Sequence, residues 1–327
     1  MRRLAVSVGL LIALAGCGNG RPPDEASGRL QVVTTVAPIT SIVASVAGDR
    51  ADVRGLVPEG TNSHTFEPPP SAAAKLAAAD VLFLNGLGLE EPTRELAEVS
   101  LGEKARTVLL GDGALTEDEY IYDFSFPRAG GKPNPHTWTN PPLAIEYAQV
   151  TAGVLTELDP EGAADYRANL ARFTERADAL DVAMRTASQT VPVRKLLTYH
   201  DAYAYFAQTY GWEVIGAIQV SDFGEPSPGE VAALINQIRQ QQVPAIFGSE
   251  VFPSPVLEQI GREAAVRYID TLRDDDLPGQ PGEPDHSWLG LMRLNFMTMV
   301  EALGGDARAL AEVPLTPALP DSADYPQ

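Results

Sequence analysis

The sequence is poor in cysteine, histidine and positive charge, and these shortages narrow what the protein can be. One cysteine among 327 residues excludes a disulfide within the chain. The 24 lysines and arginines are outnumbered by 44 aspartates and glutamates, so the formal net charge is −20. This balance argues against a nucleic-acid partner, because nucleic acids reward clustered positive charge. It is compatible with a protein that attracts cations, or one whose acidity only aids solubility.

No apolar run is long enough to span a bilayer, and the longest begins the chain. Leu4–Leu14 follows two arginines and is broken only by a serine and a glycine. Residues 1–16 therefore read as a secretory signal peptide. The next residue, Cys17, completes a sequence that resembles a bacterial lipobox, which implies cleavage before Cys17 and lipid attached to it. The alternative is an ordinary signal peptide with an incidental cysteine. Residues 17–29, rich in glycine, proline and charge, read as a flexible tether.

From residue 30 the chain alternates short β-rich runs with helical stretches, which predicts parallel sheets covered by helices. We expect an N-terminal α/β lobe over residues 30–158 and a C-terminal α/β lobe over 189–312, followed by a loose tail over 313–327. The predicted strands are Gln31–Val36, Asp52–Val57, Val81–Leu84, Thr107–Leu110, Lys195–Tyr199, Glu213–Gln219, Ala245–Gly248 and Val266–Ile269.

One long helix is predicted between the lobes, over residues 159–188. Asp159 supplies a cap, Pro160 suits the first turn, and apolar residues then recur every three or four positions. A helix of this length is about 42 Å long, enough to run along both lobes. A single rigid connection allows less movement between lobes than several flexible crossings would.

Three of the four histidines follow predicted strands or lie in loops rich in proline and glycine: His64, His136 and His200. Asp270 directly follows the last predicted strand. Ligand sites of open α/β sheets form beyond the carboxyl ends of the strands. Three imidazoles and a carboxylate there would suit zinc. A single loop histidine is more often a surface residue, which is our expectation for the fourth, His286.

With these histidines in their surrounding motifs, the chain resembles the zinc/manganese substrate-binding proteins of bacterial ABC transporters, the cluster A-I receptors. The stretches that carry the resemblance are the loop from Gly60 to His64 with Phe66-Glu67-Pro68, Asn85–Glu90, Pro135–Trp138, His200–Phe206, Glu225–Pro228 and Ile269–Leu272. The resemblance implies two α/β lobes joined by a long helix. It also implies that His64 and His136 from the first lobe, and His200 and Asp270 from the second, bind the metal.

The chain also departs from the family pattern at two places. Many relatives have proline before the first histidine, where this chain has Ser63, and the loop Asp112–Lys132 lacks the histidines that zinc-specific relatives often carry there. Manganese receptors of the family often have glutamate at the position of His200. An imidazole there makes the site richer in nitrogen and favours zinc. Manganese and iron stay open as alternatives.

We therefore expect a monomeric extracytoplasmic receptor that is anchored by lipid to the bacterial cell membrane. It would bind zinc and deliver it to an ABC permease and its ATPase. Glu67 and Glu250 are candidates to orient the metal ligands through hydrogen bonds without binding the metal themselves. A zinc hydrolase is the rival from another class. It would need an open coordination position and a nearby base, whereas a fourth protein ligand fills that position. An adhesin lipoprotein and a siderophore receptor are further alternatives.

Overall fold

The computed structural model describes residues 28–219, 226–249 and 254–327. The first lobe contains β1 (Leu30–Thr34), α1 (Ala37–Ala47), β2 (Ala51–Gly55), α2 (Ala72–Ala77), β3 (Val81–Leu84), α3 (Glu91–Ser100), β4 (Arg106–Leu109), α4 (Leu110–Ala114) and α5 (Pro141–Leu158). The connecting helix is α6 (Ala163–Ser188). The second lobe contains β5 (Lys195–His200), α7 (Ala204–Tyr210), β6 (Glu213–Gln219), α8 (Pro228–Gln241), β7 (Ala245–Ser249), α9 (Pro255–Ala264), β8 (Arg267–Leu272), α10 (Trp288–Ala302) and α11 (Arg308–Ala311).

Each lobe is built on a parallel four-stranded sheet with the same topology. The strand orders are β2-β1-β3-β4 and β6-β5-β7-β8, and every pairing is parallel. The chain order reverses beside β1 in one sheet and beside β5 in the other. Such reversal points leave a crevice at the carboxyl ends of the strands, where ligands bind. The prediction of two α/β lobes with parallel sheets is confirmed.

Burial on both faces explains why β3 and β7, which lie inside their sheets, are mostly apolar. All four residues of β3 and all five of β7 are buried, as expected for parallel strands covered by helices on each side. Helix α1 is buried along its whole length of 11 residues, because it packs against α5, α6 and α10. Its pattern has no polar face, and the sequence analysis did not identify it as a helix.

The connecting helix begins after a capped turn and runs past both lobes. The Asp159 carboxylate accepts a hydrogen bond from the N–H of Gly162 and a salt bridge from Arg50. Helix α6 then continues for 26 residues, about 39 Å. Its buried face contacts α1 and α5 of the first lobe and α7, α10 and α11 of the second. This confirms the predicted connection.

The prediction of a loose C-terminal tail is wrong. Asp324 forms a parallel β-bridge with Arg54 on β2, the edge strand of the first sheet. The N–H of Asp324 donates to the carbonyl of Val53, and the N–H of Gly55 donates to the carbonyl of Asp324. Four prolines led to the prediction, but proline is tolerated at a sheet edge that needs only a few donors. The tail thus returns from the second lobe to the first.

Candidate metal centre

The structure brings three histidines together between the lobes. His64 lies in the loop after β2, His136 precedes a short helical turn before α5, and His200 is the last residue of β5. Their Nε2 atoms converge: 2.9 Å separate those of His64 and His136, and 2.6 Å separate those of His136 and His200. One nitrogen from each ring lies within 4.8 Å of the other two. Such a cluster can bind one metal ion through three imidazoles.

A hydrogen bond on the far side of the His136 ring orients its Nε2 atom, and a longer contact to a carboxylate lies behind His200. His136 Nδ1 lies 2.8 Å from Asn134 Oδ1, an acceptor that fixes the proton on Nδ1 and leaves the Nε2 lone pair free. His200 Nδ1 lies 3.5 Å from Asp274 Oδ2. Acceptors placed behind the imidazoles in this way are the usual second layer of a metal site.

Burial keeps the imidazoles neutral. It lowers the pKa of His64 and His136 well below the usual value, and the charge of His200 acts in the same direction on both. Burial also lowers the pKa of His200 to about 4, with Asp275 opposing the change. Neutral imidazole is the form that binds metal. Competition by protons at the histidines is therefore expected at lower pH than for a histidine in water.

An aromatic side chain borders the cluster on its more open side. His136 and His200 are buried, whereas His64 is half-buried. The Phe126 ring stacks on His64 with centroids 6.1 Å apart and meets His136 edge-on at 5.8 Å. Phe126 belongs to the loop Asp112–Lys132. This loop therefore contributes an apolar wall to the site.

Asp270 does not join the histidines. The strand β8 extends to Leu272, two residues beyond Asp270, so Asp270 lies within the strand and its side chain is exposed. The strand predicted from the sequence ends at Ile269, which would place Asp270 at the carboxyl end of the sheet. The loop that approaches the cluster begins after Leu272.

Three consecutive aspartates in that loop are buried beside the cluster: Asp274, Asp275 and Asp276. Trp138 Nε1 donates to the Asp274 carbonyl at 3.0 Å. The N–H of Ser63 donates to Asp275 Oδ2 at 2.9 Å, a bond that proline at position 63 could not make. Asp275 Oδ1 is buried and has no hydrogen-bond partner among the described residues.

Ionisation of the three carboxyls in this loop is unfavourable. Burial raises the pKa of Asp274 and of Asp275, and the neighbouring carboxylates raise them further. Burial is also the main cause that raises the pKa of Asp276 to about 6. Several carboxyls that are costly to ionise become easier to ionise beside a bound cation. The run of three aspartates is visible in the sequence, but a charge run is more often solvated, so the sequence alone does not identify it as part of a site.

The remaining predicted site residues lie elsewhere. Glu67 is exposed and makes no hydrogen bond to the histidines in the described part of the chain. Glu250 and Cys17 lie outside the described residues. The expectation that His286 is a surface residue is wrong: the side chain is 3% exposed and its ring meets Tyr325 edge-on at 4.7 Å. His286 is not part of the histidine cluster.

Comparison with known proteins identifies the family. Residues 32–302 match the family described as zinc-uptake complex component A, periplasmic. The chain is 28% identical over 307 residues to the manganese ABC transporter substrate-binding lipoprotein PsaA of Streptococcus pneumoniae, covering 92% of this chain and 97% of that protein. It is 28% identical over 301 residues to the iron-binding protein YfeA of Yersinia pestis, covering 91% and 94%.

A solved structure agrees with this relationship. The periplasmic zinc-binding protein TroA from Treponema pallidum superposes with a TM-score of 0.76 at 26% sequence identity, covering 84% of this chain and 99% of that one. The names of these related proteins mention zinc, manganese or iron. The proteins are receptors that bind a solute and are not enzymes. With two parallel-sheet lobes, a connecting helix and a histidine cluster between them, this chain belongs to the same family of metal-binding receptors of ABC transporters.

Proposed function

We propose that this receptor captures zinc between its lobes, with His64, His136 and His200 as nitrogen ligands, and delivers it to an ABC permease and its ATPase. The observation that carries the proposal is the convergence of three imidazole Nε2 atoms contributed by both lobes. Related proteins are named as lipoproteins of such transporters. We therefore also propose that the chain works outside the cytoplasm as a monomer anchored through Cys17.

The donor set supports zinc over manganese. Manganese prefers oxygen ligands, whereas imidazole suits zinc, and most mixed sites bind zinc more tightly than manganese. Relatives named for manganese and iron are as similar to this chain as those named more generally. Manganese is therefore the second candidate.

We assign the carboxylate ligand to Asp275 rather than Asp270. Ser63 holds one oxygen of Asp275, while the other is buried without a hydrogen-bond partner among the described residues. The Asp275 carboxylate also acts electrostatically on His200. Asp270, in contrast, points to solvent from within β8. A fourth protein ligand would close the coordination sphere, as expected for a carrier.

Metal competition tests both parts of the proposal. The chain is stripped with chelator, loaded with zinc or manganese, and its affinity for each is measured by competition with an indicator. We expect zinc to bind more tightly. Asp275→Asn should lose at least about tenfold in zinc affinity, and Asp270→Asn should lose almost none. A larger loss from Asp270→Asn would restore the ligand expected from the sequence, and tighter manganese binding would reject zinc as the cargo.

A further inference from the structure

Two loops from different lobes exchange hydrogen bonds beside the histidine cluster. The N–H of Gly60 lies 2.9 Å from each carboxylate oxygen of Asp276. In return, the N–H of Leu277 donates to Glu59 Oε1 at 3.0 Å. Each loop thus gives one N–H and one carboxylate to the other. We call these four residues, Glu59, Gly60, Asp276 and Leu277, the interlobe clasp.

The clasp is well placed to hold the lobes together. Asp276 is 7% exposed, whereas Gly60 is exposed, so the hydrogen bonds between them are partly buried. Hydrogen bonds to charged groups are stronger than those between neutral groups, and these bonds must be exchanged for bonds to water when the loops separate. The clasp joins the loop after β2 to the loop after β8, parts of the chain that are more than 200 residues apart.

The clasp also restrains the loop that carries His64. Gly60 lies four residues before this histidine, and the N–H of His64 donates to Asn62 Oδ1 at 2.9 Å, which stiffens the turn between them. His64 is the most exposed of the three histidines. It is therefore the ligand that can leave first, and its loop must separate from Asp276 before it can move far from His136 and His200.

We propose that the interlobe clasp controls how fast the bound metal leaves the receptor. Metal release requires the lobes to part and His64 to withdraw, and both movements break the bonds of Gly60 and Leu277. None of the four clasp residues is assigned as a metal ligand, so they act by positioning the His64 loop. The inference rests on the proposed function, because it presumes that the metal lies between the histidines.

The test is the rate of zinc release from the loaded full-length chain into excess chelator, followed by stopped flow. Asp276→Ala removes the acceptor and should speed release roughly ten- to hundredfold, the equivalent of one charged hydrogen bond. Asp276→Asn keeps an oxygen acceptor without the charge and should give an intermediate rate. Glu301→Ala removes an equal charge from an exposed position on α10 and should release zinc at the unaltered rate.

Thermal unfolding of each stripped variant reports whether the fold is intact, and Asp276→Asn carries the test if Asp276→Ala does not fold. Zinc release at the unaltered rate from a folded Asp276 variant would overturn the proposal. So would equal acceleration by Glu301→Ala, since bulk charge would then be the cause. Failure of the proposed function looks different: the unaltered chain would not retain zinc, or would retain it after the histidines were replaced.

Discussion

Glu90 is a buried carboxyl that supports the loop behind His136. Its Oε1 accepts hydrogen bonds from the Thr35 hydroxyl and the N–H of Asn85, each at 2.8 Å, and its Oε2 accepts one from the N–H of Gly86 at 3.2 Å. Asn85 in turn donates through Nδ2 to the Pro135 carbonyl at 2.9 Å. A single buried acid therefore fixes the end of β3 and, through it, the residue before a metal ligand.

Glu90 should make stability depend on pH. Burial raises its pKa from 4.5 to about 7, so the native state holds this proton more tightly than the unfolded chain does. The stabilisation is complete below pH 4.5 and is lost as pH rises through 7, by about 3 kcal/mol in all. Glu90→Gln removes this loss. Relative to the unaltered protein, we expect the free energy of unfolding of the variant to rise by about 2.5 kcal/mol between pH 5 and pH 8.5.

Urea unfolding of the stripped proteins at several pH values measures this difference. Glu95→Gln, at an exposed position on α3, is the matched control and should show no such gain in free energy of unfolding. A constant difference between Glu90→Gln and the unaltered protein across this range would mean that Glu90 ionises in the native state as it does in water.

The histidine cluster was predictable from the sequence, whereas the carboxylate that we propose as the fourth ligand, Asp275, was not. Loops at the carboxyl ends of parallel strands converge, so the positions of His64 and His200 follow from recognising the strands. The choice between Asp270 and Asp275 depends on where β8 ends, and strand ends are poorly marked in a sequence. The observed strand ends three residues later than predicted, which moves Asp270 from the cleft to an exposed position within the strand.

At the scale of elements, the C-terminal segment acts as an added edge to the first sheet. Tyr325 is 8% exposed and packs against His286, and its hydroxyl bonds Asp321 at 2.5 Å. The eight strands were predicted because each is short, apolar and followed by turn residues. Helix α1 and the packing of the tail were not predicted. Neither segment shows a regular pattern of polar and apolar residues, and both depend on partners distant in sequence.

Tyr325→Ala should therefore destabilise the whole chain, by about 3 kcal/mol, since it empties a buried aromatic position. Thermal or denaturant unfolding measures the loss. Val99→Ala, at an 83% exposed position on α3, should change stability by less than about 0.5 kcal/mol. Equal, negligible effects of both substitutions would show that the tail is loose after all.

At the scale of the whole molecule, the proposed anchor is a single residue. Among the described residues no helix is long and apolar enough to cross a membrane, and Cys17 is the only cysteine. Cys17→Ser should release the protein from membranes while zinc affinity is unchanged, because the site lies in the folded lobes. Cell fractionation and a zinc titration measure the two effects. Tight membrane association of Cys17→Ser would contradict the lipid anchor.

The two lobes contribute different histidines to one site, and the connecting helix contacts both lobes. A metal bound there is held by parts of the chain on either side of α6. Binding should stabilise the whole native state by mass action, by about 2.7 kcal/mol when free zinc is a hundredfold above the dissociation constant. If the metal were bound by one lobe alone, replacing a histidine of the other lobe would leave this stabilisation unchanged.

The most direct test is the zinc-induced rise in thermal unfolding temperature of the stripped protein and its histidine variants. His64→Ala and His200→Ala, one from each lobe, should each lose most of the rise. His286→Ala should keep it, even if removing this buried ring lowers the starting stability. A rise that survives in both His64→Ala and His200→Ala would place the metal outside the cleft and contradict the account.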